Sequence, residues 1–162
     1  MNTTDFDRRL IELGIELPAP AAPSFSYVPT LISGNQLFIS GQLGFWKGQL
    51  LHKGKLGGAA SLDDGKTAAR LCGLNVLAHV HQACGGTLNR VVRCLRMTGF
   101  VSTVPDCYDH ATAMNGCSEL MHEVFGEQGR HTRATVGVAS LAFDAVVEVD
   151  AIFEITPATA LP

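Results

Sequence analysis

The stretch "AVVEVDAIFEI" (145–155) alternates with a period of two. Val147, Val149, Ala151, Phe153 and Ile155 point one way, while Glu148, Asp150 and Glu154 point the other way together with Ile152. Such sorting belongs to an extended strand, and a carboxylate on a central strand is costly unless it is paired or functional. The chain must therefore build a sheet with one apolar face closed by its own core. Just upstream, "RATVGVASL" (133–141) carries a second strand, expected over 134–140. Its Val136 and Val138 are expected to face the core, with Ala134. Arg133, Thr135, Gly137 and Ala139 share the opposite face, so the guanidinium has only small neighbours.

Two amphipathic segments supply cover for such a sheet. In "SLDDGKTAARLCGLNVLAHVHQAC", Ser61 suits an N-cap and Asp63 and Asp64 suit the first turn; Leu71, Leu74, Ala78 and His81 fall on one face, and Gly85-Gly86 ends the helix. A second helix is expected from Pro105-Asp106 to Phe125, with Met114, Cys117, Met121 and Val124 buried. A strand within "LNRVVRCLRMTGFVST" lies between them, and "SYVPTLISGNQLFISGQLG" reads as two strands about a Ser-Gly-Asn turn, Pro29 confining the first to an edge or a bulge. The order is ββαβαββ, an α+β chain whose two long helices cover one sheet face. The other face needs a partner, and a second copy of the chain is the natural one. Residues 1–24 are expected to form an N-terminal helix (5–16) and a Pro/Ala-rich connector, and 25–156 a single domain.

Charge narrows the function. Of 162 residues 17% are charged and the net charge is −3, with twelve Lys and Arg forming no basic stripe, so nucleic acid is an unsuitable partner. No run of about 18 apolar residues is present to span a membrane, and "MNTTDFDRRLIELGIEL" does not read as a secretory leader. Five dispersed cysteines, mostly in apolar segments, suit reduced thiols in the cytoplasm. "GQLLHKGKL" fails as a phosphate loop, having five residues between its glycines and Leu56 where magnesium would need a hydroxyl. His79 and His81 lie on different helix faces and no Cys/His group has zinc spacing, so no metal is expected. A Cys/His nucleophile has one candidate position, Cys107 near the second helix, against the plainer reading of structural thiols.

Two residues remain open to chemistry. Arg133 is either a surface arginine at a strand end or a clamp for a small carboxylate, which it can hold through two parallel hydrogen bonds. Glu148 is either a general acid/base or an ion-pair or exposed strand residue.

The segments "YVPTLISGNQLFISGQLG" and "RATVGVASL…VVEVDAIFEI", with the helix–strand–helix between them, resemble the Rid (YjgF, reactive-intermediate deaminase A) family over most of 25–155. "MNGCSELMHEVFGEQGRHTRATVGV" looks like a longer-chain branch of it. The resemblance implies a chorismate-mutase-like fold, a homotrimer with ligand clefts between subunits, and a cytosolic enzyme. That enzyme would hydrolyse reactive enamines and imines, such as 2-aminoacrylate, to 2-oxo acids and ammonia without a cofactor. By the same resemblance Arg133 matches the carboxylate clamp and Glu148 the acid that orients or activates water. Tyr27, Ser40 and Gly41 match cleft-lining residues, and Thr135 a position whose backbone amide faces the ligand. Departures are Ala142 where the family has proline, an extended helix end that complicates placing the family's cleft asparagine at Asn115, and Arg130 and His131 at the mouth. The alternative function is a non-catalytic trimer that binds a small carboxylate or keto acid. RNA cleavage, a label attached to some relatives, suits this charge least.

Overall fold

The computed structural model describes residues 5–20 and 26–157, so part of the expected connector (21–24) lies outside the described residues. In chain order the elements are α1 (Phe6–Glu12), β1 (Thr30–Ser33), β2 (Gln36–Leu43), β3 (Phe45–Trp46), β4 (Gln49–Leu50), α2 (Leu62–Ala83), β5 (Val91–Ser102), α3 (His110–Phe125), β6 (Thr132–Val138) and β7 (Val147–Ile155). The five long strands form one mixed sheet in the order β1-β2-β7-β5-β6, and β3 and β4 form a separate two-stranded ribbon. The ββαβαββ order thus stands with the ribbon added, and the N-terminal helix expected over 5–16 is the shorter α1, ending at Glu12. Pro29 precedes β1, which is an edge strand. β1 turns into β2 through Gly34, held at a left-handed φ of 61°.

Strand β7 lies at the centre, antiparallel to β2 on one side and β5 on the other. Its Val147, Val149, Ala151, Phe153 and Ile155 are all buried, and its acids lie on the far face as the alternation requires. The helices cover the buried face. Ser61 caps α2 with a complete capping box: its hydroxyl accepts from the Asp64 amide at 3.1 Å, and the Asp64 carboxylate accepts from the Ser61 amide at 2.9 Å. The buried residues of α2 include Ala69, Cys72, Val76, Leu77 and Val80, whereas Leu71, Leu74 and His81 are only partly covered. The expected face is therefore rotated, because α2 touches both the sheet and α3. The two helices approach closely through glycines. A Cβ at Gly116 would collide with the Lys66 carbonyl, and one at Gly73 would meet Cys117 and Leu120.

Two expectations change at β6 and α3. The helix begins at His110 rather than Pro105, since 105–109 are turn, and Asp109 provides no side-chain cap. Cys107 accordingly lies in the turn before the helix. Strand β6 runs parallel to β5, the connection being α3, with Arg133 opposite Met97 and Val136 opposite Phe100. Met97 is wholly buried under the helices, whereas Val136 is 45% exposed. So the arginine face of β6 turns toward α3, and the valine face lies on the uncovered side of the sheet. Alternation correctly separated the two faces but could not say which met the core, because α3 stands over an edge strand and shares its cover with polar groups.

The uncovered face mixes apolar and charged residues: Leu31, Phe38, Ile152, Phe100 and Val136 sit with Glu148, Asp150 and Arg96. All five cysteines are free, four of them buried. Among the described residues no helix is long and apolar enough to cross a membrane.

Candidate functional site

Arg133 is held from one side by α3. Its Nη1 donates to Asn115 Oδ1 at 2.9 Å and to Ser118 Oγ at 3.2 Å, and its Nη2 donates to the Ala111 carbonyl at 3.2 Å. A guanidinium has five N–H groups. Three are used, leaving one on Nε and one on Nη2, adjacent nitrogens able to give a carboxylate two parallel bonds. All three acceptors are neutral, and among the described residues Arg133 has no ion-pair partner. Its charge is thus fixed in direction but not neutralised. It lines a cleft of about 710 Å³ with Asn115, Ser118, Glu119, His131 and others.

Behind Arg133 the polar chain continues. His131 Nδ1 lies 2.7 Å from the Gly129 carbonyl, and its Nε2 lies 3.0 Å from Ser118 Oγ. Because a carbonyl only accepts, Nδ1 carries the proton and Nε2 of the neutral ring is a bare acceptor. Ser118 therefore donates its hydroxyl hydrogen to His131 while accepting from Arg133. Burial, with a smaller push from Arg133, favours the neutral ring and holds the His131 pKa below its ordinary value, against the Gly129 bond, which acts to raise it. Arg130, by contrast, is an exposed rim residue paired with Glu127 at 3.0 Å.

The remaining site residues gather elsewhere. Between Ile39 and Gln42 strand β2 spends two residues, Ser40 and Gly41, against one of β7, Asp150, a bulge that brings Gly41 under Glu148. A Cβ at Gly41 would collide with Glu148 Oε1, so only glycine leaves the carboxylate its place. The Ser40 hydroxyl donates to the Val28 carbonyl at 2.7 Å, tying the segment that follows Tyr27 to this strand; Tyr27 itself is half exposed. Among the described residues Glu148 accepts no hydrogen bond. Burial, and secondarily the charge of Asp150, raise its pKa above the usual carboxylate value.

These two groups lie on opposite faces of the sheet. Arg133 pairs with Met97 and Met97 with Ala151, a row on the helix side; Val136 pairs with Phe100 and Phe100 with Glu148, a row on the uncovered side. Arg133 and Thr135 thus fall in one half, and Glu148, Gly41 and Ser40 in the other. The Thr135 hydroxyl is buried without a hydrogen-bond partner among the described residues. Ser118 was missed as a site residue, although its position three after Asn115 places both on one helix face. Three cysteines are poor nucleophiles: burial raises the thiol pKa of Cys94 to about 12 and pushes those of Cys72 and Cys117 well up. Among the described residues no three His, Cys, Asp or Glu side chains are grouped to hold a metal ion.

Comparison with known proteins places this geometry. Residues 7–154 match the family model described as "YjgF/chorismate_mutase-like, putative endoribonuclease". The protein TCP17 of Trypanosoma cruzi is 44% identical over 147 residues, covering 90% of this chain and 91% of that one. The crystal structure of Atu1372 from Agrobacterium tumefaciens is 44% identical with a TM-score of 0.87, covering 93% and 92% of the two chains. E. coli TdcF, solved with bound serine, is 27% identical with a TM-score of 0.59, covering 86% of this chain and 94% of its own. Its sheet order, its helical layer and these matches together establish that the chain belongs to the Rid (YjgF/chorismate-mutase-like) family.

Proposed function

We propose that the protein hydrolyses reactive enamine and imine intermediates of the 2-aminoacrylate type to 2-oxo acids and ammonia, in the cytoplasm, at clefts between the subunits of a homotrimer. The observation that carries this reading is the Arg133 guanidinium, held by three neutral acceptors with two adjacent N–H groups left over. That is the arrangement a small carboxylate needs. The serine bound to TdcF has such a carboxylate, which agrees with this ligand class. Because Arg133 and Glu148 occupy opposite faces of one sheet, a ligand touching both requires residues from two copies, and the uncovered face bearing Glu148 is the surface to be joined.

The chemistry asks little of the protein. Protonation of the enamine at carbon gives an iminium. Water then adds to the carbon that bears nitrogen, a proton moves from oxygen to nitrogen, and the C–N bond breaks to release ammonia and the 2-oxo acid. Arg133 holds the carboxylate and so fixes the adjacent reacting carbon. Glu148, with its raised pKa, serves as the group that exchanges protons with carbon and with water.

A second reading has its own support. Glu148 accepts no hydrogen bond among the described residues while Arg133 is fully braced, which suits a trimer that binds a keto acid without turning it over. Release of ammonia and keto acid from enzymatically generated imines of several amino acids separates the two. Acceleration lost in Arg133→Ala and Glu148→Gln supports the deaminase; keto-acid binding without acceleration of any imine supports the second reading. A monomer by light scattering at micromolar concentration would overturn both.

A further inference from the structure

We propose that Ser118 and His131 are positioning residues for the Arg133 clamp: His131 fixes the Ser118 hydroxyl, which in turn braces the guanidinium so that its Nε and Nη2 donors face the ligand. The inference rests on the carboxylate-clamp reading of Arg133.

The argument is one of hydrogen-bond direction. The Ser118 hydroxyl can turn its single hydrogen toward several acceptors. If that hydrogen pointed at Arg133, it would face a donor, and the Nη1 bond would be lost. His131 removes the choice. Its Nδ1–H is committed to the Gly129 carbonyl at 2.7 Å, its Nε2 presents a lone pair 3.0 Å from Ser118 Oγ, and the hydroxyl hydrogen goes there. The serine oxygen is then an acceptor toward Nη1 at 3.2 Å. Asn115 takes the other Nη1 hydrogen, so both are spent away from the ligand. Neither Ser118 nor His131 needs to touch the ligand for this to operate.

The charged and titratable groups near the chain are consistent with a neutral His131. Arg133 stands on β6, which His131 immediately precedes, and Arg130 lies beside it in sequence. From α3, Glu119, His122 and Glu123 line the same cleft. Glu123 is paired with Arg70 at 2.8 Å, and Arg130 with Glu127. Burial and Arg133 both disfavour an imidazolium here.

The test uses the whole protein, pyruvate as the carboxylate probe and pyruvamide as its neutral counterpart, with affinities read by NMR titration. His131→Asn retains a donor near Gly129 but cannot reach Ser118, whereas His131→Gln can place an oxygen where Nε2 stood. Ser118→Ala and His131→Asn are each expected to weaken pyruvate binding about tenfold, the scale of one charged hydrogen bond, without altering pyruvamide binding. The double variant should be no weaker than either single one, and His131→Gln should restore most of the loss. Wherever turnover is measurable, KM rises while kcat holds. Nitrogen-15 shifts of His131 should report the Nδ1–H tautomer, and melting curves of each variant identify any loss that is merely unfolding.

Equal weakening of pyruvate and pyruvamide, no rescue by His131→Gln, or a further loss when His131→Asn is added to Arg133→Ala would overturn the proposal. If Arg133→Ala weakens pyruvate binding but His131→Asn does not, this inference alone fails. If the unaltered protein does not bind pyruvate, or Arg133→Ala binds it equally well, the clamp reading fails and carries this one with it.

Discussion

Arg133 and Glu148 stand on opposite faces of one sheet with β5 between them, and their surroundings differ in kind. The arginine is braced by Asn115, Ser118 and a carbonyl of α3, with His131 behind. The glutamate lies over a glycine on a bulged strand, without a hydrogen bond among the described residues, its ionisation opposed by burial. One half is organised within the chain; in the proposed trimer the other would be completed by a second copy. A pocket shared between subunits can be built this way, with binding geometry fixed in advance and the proton-transfer group completed on assembly.

Opposite kinetic signatures would sharpen this contrast most. Glu148→Gln should lower kcat about 10³-fold with little change in KM, the range expected for a lost general acid/base. Arg133→Ala should act mainly on KM, by about 10²-fold, through the loss of two charge-assisted bonds. If both act on the same parameter, the division of labour is wrong. Steady-state kinetics on one imine suffices.

Two glycines test the halves through their supports. Gly116→Ala drives a methyl into the Lys66 carbonyl and must separate α3 from α2 next to Asn115. A stability loss of about 2 kcal/mol is expected by denaturant titration, together with weaker carboxylate binding. Gly41→Ala displaces only the end of a flexible side chain. Activity should fall about tenfold while stability stays within about 0.5 kcal/mol; a large stability loss would show that the bulge, not the carboxylate, is what Gly41 serves.

The smallest effect concerns pH. Glu148 has a folded-state pKa above its unfolded value, so ionising it costs the folded state, and this cost grows as pH rises through that interval. Glu148→Gln should therefore raise the melting temperature slightly, on the order of 2 °C at pH 7, and leave it unchanged near pH 4, about the unfolded pKa or lower. Catalysis runs the other way: loss of the carboxylate base on acidification should set in above the usual carboxylate range.

Much of the fold could be read from local pattern. The alternation at 147–155 and the cap at Ser61 are local devices, and both gave the right element with the right side buried or the right start. The start of α3 was misjudged because Pro105 and Asp106 suit a turn as well as they suit a helix N-terminus. The inward face of β6 was misjudged because small residues and valines can each pack. What decided it was α3 arriving over an edge strand, a long-range fact. Arg133 and Glu148 were legible as chemistry, but their separation onto two faces was not, since it depends on the parallel pairing of β6 with β5. The role of Ser118 was hidden because a serine in a helix carries no pattern until its neighbours are known.

The position of β7 has a consequence for how the chain comes to be folded. The strand at the middle of the sheet is the last one in the sequence, pairing with β2 across more than a hundred residues as well as with β5. During synthesis, therefore, β1 with β2 and β5 with β6 can form only as two separate pieces, each with an open edge lined by core residues. Such non-local closure is slow and leaves sticky edges in the meantime. A nascent chain halted before residue 147 has two halves of a sheet and no strand to join them.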